Sequence, residues 1–286
     1  MEVRPTSWLL AISMSLSLYA TIALGVESPA IVGPRSVGAL LIVGGGATSV
    51  EVYETFFQLA GGPNSHLIHI PTATERFESI ADKKDYYAEW FDRRKQSFGF
   101  VHTRNRLEAE SPAFSLPLAR ATGVWIGGGD QNRLAEMYGG TPVIAHLRAV
   151  VERGGVVAGT SSGASIMSDV MVSDETQTSL SVAFGFSLCE QTIVDCHFKE
   201  RDRLPRMLRL LQRFPSQSGI GIDEKTALLL RGDHAMVLGA GEVTFFSRNV
   251  ANRQLVRTVL RAGEALQLLP RQPLSEQLVQ SDKEPR

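Results

Sequence analysis

Four apolar runs, each closing on small residues, set the rhythm of the first half of the chain. Ala39-Leu40-Leu41-Ile42-Val43 stops at Gly44-Gly45-Gly46, and Leu67-Ile68-His69-Ile70 stops at Pro71-Thr72. Gly123-Val124-Trp125-Ile126 stops at Gly127-Gly128-Gly129, and Gly155-Val156-Val157-Ala158 stops at Gly159. Runs this short, apolar throughout and followed by turn residues, predict buried strands. Between them the spacing changes to three and four residues, as at Val143, Ile144, Leu147 and Val150, and predicts helices over 131–138 and 142–153. Strands alternating with helices imply an α/β fold whose mainly parallel sheet is covered on both faces. Ligands in such folds bind beyond the carboxyl ends of the strands, where all four turns fall. Shorter runs at Thr226-Ala227-Leu228-Leu229-Leu230, Val243-Thr244-Phe245-Phe246 and Leu255-Val256 predict antiparallel strands added at a sheet edge.

The ends of the chain depart from this pattern. Residues 1–25 combine Arg4 with an apolar run from Trp8 to Gly25, and Ala23-Leu24-Gly25 places small residues where a signal peptidase reads. The expectation is a signal peptide at 1–25, a linker at 26–37, a single domain at 38–269 and a flexible polar tail at 270–286. The alternative for the first segment is an uncleaved anchor, since the run is just long enough to span a bilayer. Cleavage would make the protein extracytoplasmic, periplasmic or secreted, with no membrane association afterwards.

Composition adds mainly exclusions. A net charge of −1 over 286 residues gives no field for a nucleic acid or an anionic membrane, so a small molecule or peptide is the expected partner. Homodimerisation is left open. Two cysteines, Cys189 and Cys196, are too few for a disulfide framework and leave one short-loop bridge or two buried thiols as alternatives. Gly44-Gly45-Gly46 invites a dinucleotide reading, but Ser49 stands at the sixth position of that fingerprint, and neither a Walker A sequence nor H-E-x-x-H occurs. No cofactor and no metal are expected.

Candidate chemistry centres on Gly159-Thr160-Ser161-Ser162-Gly163. A serine is a useful nucleophile when it stands clear of its backbone and a base takes its proton, and small neighbours between a buried strand and a helix permit such an exposed turn. Ser161 is the expected nucleophile, with the Ser162 N–H and the positive end of the following helix facing the developing oxyanion. Among six histidines, His197 is the best placed base, 36 residues after the serine and at the end of an apolar run. His69 falls within a predicted strand, and His66, His102, His146 and His234 read as core or surface residues. The carboxylate that orients the base is Asp174, Glu175 or Asp195, which spacing does not separate. Gly128 and Gly129 offer further unobstructed N–H groups, and Asp130 and Gln131 follow them. Arg201, Arg203, Arg206, Arg209 and Arg213 form either a solvated helix face or a clamp for substrate carboxylates beside the base.

Five motifs in order resemble the cyanophycinases of peptidase family S51, which also contains the peptidase E aspartyl dipeptidases. They are Ile70-Pro71-Thr72-Ala73, Gly128-Gly129-Asp130-Gln131, the Ser161 turn through Ala164, Asp195-Cys196-His197-Phe198 with Arg201, Arg203 and Arg206, and Gly221-Ile222-Asp223-Glu224-Lys225-Thr226-Ala227. The resemblance implies a flavodoxin-like sheet similar to that of class I glutamine amidotransferases, and a triad of Ser161, Glu175 and His197. It further implies Gln131, Asp130, Arg201, Arg203 and Arg206 as substrate-binding residues and cyanophycin, poly-aspartate bearing arginine on each β-carboxyl, as substrate. Two positions depart from the pattern. Cys196 stands where glutamine usually precedes the histidine, and Ser162 replaces alanine, a change expected to be neutral because only its N–H is needed. An aspartyl or isoaspartyl dipeptidase is the alternative within the family, and a non-catalytic binder of Arg- or Asp-rich peptides the alternative outside it.

Overall fold

A computed structural model of the chain describes residues 37–75, 77, 97–176, 178–249 and 251–268. The expected signal peptide and tail, and the linker apart from Val37, lie outside the described residues. Five parallel strands form one side of an eight-stranded sheet: β1 (Ala39–Val43), β2 (His66–Ile70), β3 (Ser97–Phe100), β4 (Gly123–Ile126) and β5 (Val156–Thr160). Their spatial order is β1-β5-β4-β2-β3. Residues alternate across this sheet between two cores. Leu40 and Ile42 pack with Val157, Leu134, Leu147 and Val150 on one face, while Leu41 and Val43 pack with Ala158, Val52, Phe56 and Phe57 on the other. Helices α1 (Val50–Leu59), α2 (Arg106–Glu110), α3 (Pro112–Ala119), α4 (Gln131–Tyr138) and α5 (Pro142–Glu152) connect the strands. The fold is the expected α/β arrangement with helices on both faces, and α4 and α5 occupy the segments whose spacing predicts them.

The second half of the chain departs from the expected single sheet edge. Strands β10 (Thr226–Arg231), β11 (His234–Gly239) and β14 (Ala265–Gln267) do extend the sheet beyond β1, antiparallel. Between β5 and β10 come a one-turn helix α6 (Ser162–Ser165), a separate hairpin of β6 (Val170–Glu175) and β7 (Leu180–Phe184), then β8 (Thr192–Cys196), α7 (Leu204–Arg213) and β9 (Ser218–Ile222). Strands β12 (Glu242–Arg248) and β13 (Leu255–Arg261) join β9 and β8 in a second, four-stranded sheet ordered β13-β12-β9-β8. The physical reason is shape: α7 buries Met207, Leu210 and Leu211 against Ile193 and Phe246, a third core that the main sheet does not supply. Strands β8 and β9 run parallel with Cys196 opposite Ile222, so their carboxyl ends open side by side.

The loop after β1 joins the two sheets. The Gly44 carbonyl accepts the His197 N–H at 2.8 Å, the Gly45 carbonyl accepts the Lys225 N–H at 2.9 Å, and the Gly44 N–H donates to Thr226 O at 2.9 Å. Ser161 N–H donates to Val43 O at 2.9 Å. Three strand ends, those of β5, β8 and β9, therefore converge on one short glycine loop.

Candidate active site

Ser161 occupies the first residue after β5 with φ 52° and ψ −116°, a left-handed conformation that a non-glycine residue adopts only when its surroundings enforce it. Packing supplies the enforcement. A Cβ on Gly159 would lie 2.1 Å from Gly163 O, and one on Gly163 would lie 2.2 Å from Ile126 O, so only glycine at both positions lets the chain reverse this tightly. The reversal lifts the Ser161 side chain above the strand ends. The helix behind it is a single turn, Ser162–Ser165, so the expected macrodipole has little length to act through. The individual N–H groups matter more. Those of Gly128, Gly129 and Ser162 are donated to no backbone carbonyl among the described residues. Gly128 abuts Ser161: a Cβ there would be 3.3 Å from Ser161 Cβ and 3.9 Å from its Oγ.

Ser161 Oγ lies 2.8 Å from His197 Nε2, and His197 Nδ1 lies 2.6 Å from Glu224 Oε1. With the ring proton on Nδ1 donated to Glu224, Nε2 keeps its lone pair and accepts from the Ser161 hydroxyl. The structure thus brings the expected serine and histidine together and sets Glu224, not Glu175, against the imidazole. Glu175 is absent from the imidazole because it pairs with Arg206 Nη1 at 2.9 Å and Arg209 Nη2 at 2.6 Å. Asp174 is exposed on β6, and Asp195 is buried beneath Arg203 and Arg206. Glu224 was not among the sequence candidates, although it lies in the motif Gly221–Ala227 and follows a strand that ends beside His197.

Gly44-Gly45-Gly46, which the sequence offered only as an incomplete nucleotide fingerprint, is the seat of this pair. A Cβ on Gly45, whose φ is +98°, would stand 2.3 Å from His197 Cε1, and one on Gly46 would stand 2.9 Å from Glu224 Oε2. His197 itself has φ 50° and Lys225 φ 57°, so both residues are held in left-handed turns by the same loop. Asp223 steadies the approach: its carboxylate accepts the N–H groups of Lys199 and Glu242, each at 3.2 Å, and burial pushes its carboxyl above the ordinary range. Gly45→Ala is expected to lower activity at least about 100-fold by displacing the imidazole, because misplacement of a reacting group by about 1 Å carries a loss of that order. Steady-state kinetics alongside a thermal melt would check it.

The remaining site residues divide. Gln131 donates Nε2–H to Val172 O at 2.8 Å and holds Oε1 at 2.8 Å from Ser162 Oγ, which also lies 2.5 Å from Gly129 O. The Ser162 hydroxyl therefore ties the Ser161 turn to the glycine turn and to Gln131, contacts beyond the backbone N–H that the sequence reading considered. Asp130 caps α4, accepting the Asn132 N–H at 2.9 Å. Arg203 donates to Asp195 Oδ1 at 2.9 Å and to Cys196 O at 2.7 Å, and Arg206 pairs with both Asp195 oxygens, so their inner edges are not available to a substrate. Arg201 is exposed. A cleft of about 280 Å³ runs between Arg201, Arg203, Arg206, Arg209 and Glu175. His69, buried as expected, lies against Gly127, while His102, His146 and His234 bond to Thr72, Pro142 and Asp233 away from the serine.

Cys189 and Cys196 are buried and form no disulfide. Cys196 packs beneath the Ser161 turn with Sγ 3.3 Å from Ser161 O and 3.7 Å from both Val43 O and Ser165 Oγ. It does not face the cleft. Burial pushes its thiol up to about 12, so the reactive thiolate is scarce at neutral pH. Iodoacetamide at pH 8 is expected to leave Cys196 unmodified in the native protein and to label it in denaturant, read by peptide mass.

The family model described as peptidase family S51 matches residues 40–238. The chain is 34% identical over 218 residues to a cyanophycinase of Nostoc sp., covering 72% of each chain. It is 30% identical over 217 residues to a cyanophycinase of Geminocystis herdmanii, covering 72% of this chain and 79% of that one. Among solved structures, a peptidase from an acI-B1 Actinobacterium superposes with a TM-score of 0.64 at 25% identity, over 82% of this chain and 99% of the other.

Proposed function

The chain belongs to peptidase family S51, and from that premise we propose that it is a cyanophycinase-like serine peptidase with Ser161 as nucleophile, His197 as general base and Glu224 as the carboxylate that orients the base. The observation that carries this reading is the hydrogen-bonded series Ser161 Oγ, His197 Nε2, His197 Nδ1, Glu224 Oε1, with links of 2.8 and 2.6 Å. These are the distances at which a base takes a hydroxyl proton and a carboxylate fixes the productive tautomer.

In the proposed reaction, His197 Nε2 takes the Ser161 proton as Oγ forms a bond to the peptide carbonyl carbon, and Glu224 stabilises the imidazolium. Negative charge gathers on the carbonyl oxygen, where the N–H groups of Ser162, Gly128 and Gly129 are available to receive it. Collapse breaks the C–N bond, and His197 returns the proton to the departing amine. Water then attacks the ester, giving its proton to His197, and Ser161 leaves with that proton restored.

Similarity to cyanophycinases over most of the chain supports cyanophycin as substrate and β-aspartyl-arginine as product. Incubating purified protein with cyanophycin and separating the soluble products tests this directly. Release of the dipeptide is the expected result, and its absence from reactions that cleave other aspartyl peptides would overturn the substrate assignment. A second reading within the family is an aspartyl or isoaspartyl dipeptidase, which would keep Ser161, His197 and Glu224 and differ only in the pocket. A panel of α- and β-aspartyl dipeptides beside the polymer separates the two. We also propose export: the apolar segment before Val26 supports it, and an N-terminus at Val26 in secreted protein is the result to look for.

A further inference from the structure

Ser162 carries a hydroxyl that the reaction above does not use. The residue opens α6 directly after Ser161 and is 6% exposed. Its single proton faces two oxygens, Gly129 O at 2.5 Å and Gln131 Oε1 at 2.8 Å, and is shared between them as a three-centre bond. The Gln131 amide is also held from its other end, where Nε2 donates to Val172 O at 2.8 Å. Gly129 has no such second hold on its carbonyl. No backbone N–H is donated to Gly129 O among the described residues, which leaves the Ser162 hydroxyl as its donor.

The Gly129 carbonyl and the Asp130 N–H belong to one rigid peptide plane. That N–H donates to Ala73 O at 2.9 Å, so the plane is gripped at both edges, by Ala73 on one side and Ser162 on the other. The grip matters because the two residues before it are glycines. Neither has a side chain to restrict it, and Gly129 sits at φ +142°, so close to Ala73 that a Cβ would stand 2.2 Å from Ala73 O. The N–H groups of Gly128 and Gly129, donated to no backbone carbonyl among the described residues, do not anchor the turn themselves. Rotation about the Gly129 dihedrals turns its N–H relative to the following plane. Fixing that plane limits where the N–H points.

We propose that the Ser162 hydroxyl is a positioning group for the oxyanion site: by holding Gly129 O, it aims the Gly128 and Gly129 N–H groups at the oxygen on which charge develops. This rests on the serine peptidase reading above, because it takes those N–H groups to face the scissile carbonyl. The hydroxyl touches no reacting atom and acts through the glycine turn. Donors held in place stabilise a transition state because they need no reorientation when charge appears. Ser162 then contributes twice, its N–H as a donor and its hydroxyl as the brace of the other donors.

Ser162→Ala isolates the brace, since alanine keeps the N–H. Removing a whole oxyanion donor lowers kcat about 10²- to 10³-fold, so loosening two that Ala73 still restrains is expected to lower it about tenfold. KM should stay within about twofold, as for an interaction realised only in the transition state. An aspartyl-peptide aldehyde, whose adduct with Ser161 places an oxygen at the same position, should bind about tenfold more weakly. The Kd of β-aspartyl-arginine, measured by calorimetry with Ser161→Ala in both proteins, should change less than about twofold because the dipeptide forms no such adduct. Amide exchange read by mass spectrometry should quicken in the peptide spanning residues 127–130. Unchanged kcat and aldehyde affinity would overturn the proposal. So would a dipeptide Kd that weakens as much as kcat falls, because that pattern marks a general loss of the pocket. If exchange at 127–130 quickens while the wild type neither hydrolyses aspartyl peptides nor binds the aldehyde, the peptidase reading fails while the brace of the turn stands. If the wild type hydrolyses them and Ser162→Ala matches it in rate and exchange, the peptidase reading stands and the brace fails.

Discussion

Ser161→Ala is expected to reduce hydrolysis by roughly 10⁴- to 10⁶-fold, the loss seen when the nucleophile of a serine triad is removed. The fold should survive. Alanine meets the same left-handed backbone at φ 52° that serine does, and the change removes one hydroxyl from a part-buried hydrogen bond, worth about 1 kcal/mol. A thermal melt close to the wild type, together with loss of labelling by a fluorophosphonate probe, would separate chemistry from stability. Adding His197→Ala to Ser161→Ala should cost little more, since a nucleophile and its base act as a unit. Retention of more than a few per cent of the activity in Ser161→Ala would assign the nucleophile elsewhere, with Ser162 and Ser165 the nearest hydroxyls. Both are already engaged, Ser162 with Gly129 and Gln131 and Ser165 with Cys196.

Much of this site is legible in the chain because its signals are local. Ser161 sits in a five-residue turn between an apolar run and a short helix, and His197 closes the apolar strand Thr192–Cys196. Strands β1, β2, β4 and β5 and helices α4 and α5 are equally local, each carried by its own pattern, whereas β3 and helices α1 to α3 are not among the elements the sequence predicts. What the sequence hides is created by pairing between distant segments. Glu224 lies 27 residues beyond His197, and only the parallel register of β8 with β9 sets the two strand ends side by side. Gly45 and Gly46 look like a poor phosphate loop because their requirement comes from the His197 and Glu224 side chains that cross them, not from a ligand. Arg203 and Arg206 look like free cations at helical spacing, and Asp195, which neutralises them, approaches from a different element. Strands β12 and β13 show their alternation plainly, yet nothing in that alternation says which sheet they join.

Exchanging Glu224 for glutamine is the second large effect, and it distinguishes the carboxylate at His197 from the candidates suggested by sequence. The amide keeps the shape and loses the charge. Its NH₂ group, if turned toward Nδ1, meets a nitrogen that must itself donate, and favours the ring tautomer whose Nε2 carries the proton. That tautomer is unable to take the Ser161 proton. Even with the amide oxygen facing Nδ1, the imidazolium formed during acylation loses its compensating charge. A fall in kcat of about 10²- to 10⁴-fold is expected, the upper figure being that of an acid-to-amide change in a fully buried triad. Glu224 is 31% exposed, so water can replace part of the lost stabilisation and the lower part of that range is favoured. Substrate binding should change little, because Glu224 touches the base rather than the cleft. Asp174→Asn, on the exposed face of β6, should leave kcat within about twofold, as surface substitutions away from special features usually do. The opposite pattern, with Asp174→Asn inactive and Glu224→Gln active, would mean that the carboxylate 2.6 Å from Nδ1 is structural and that the hairpin swings across to complete the site during turnover.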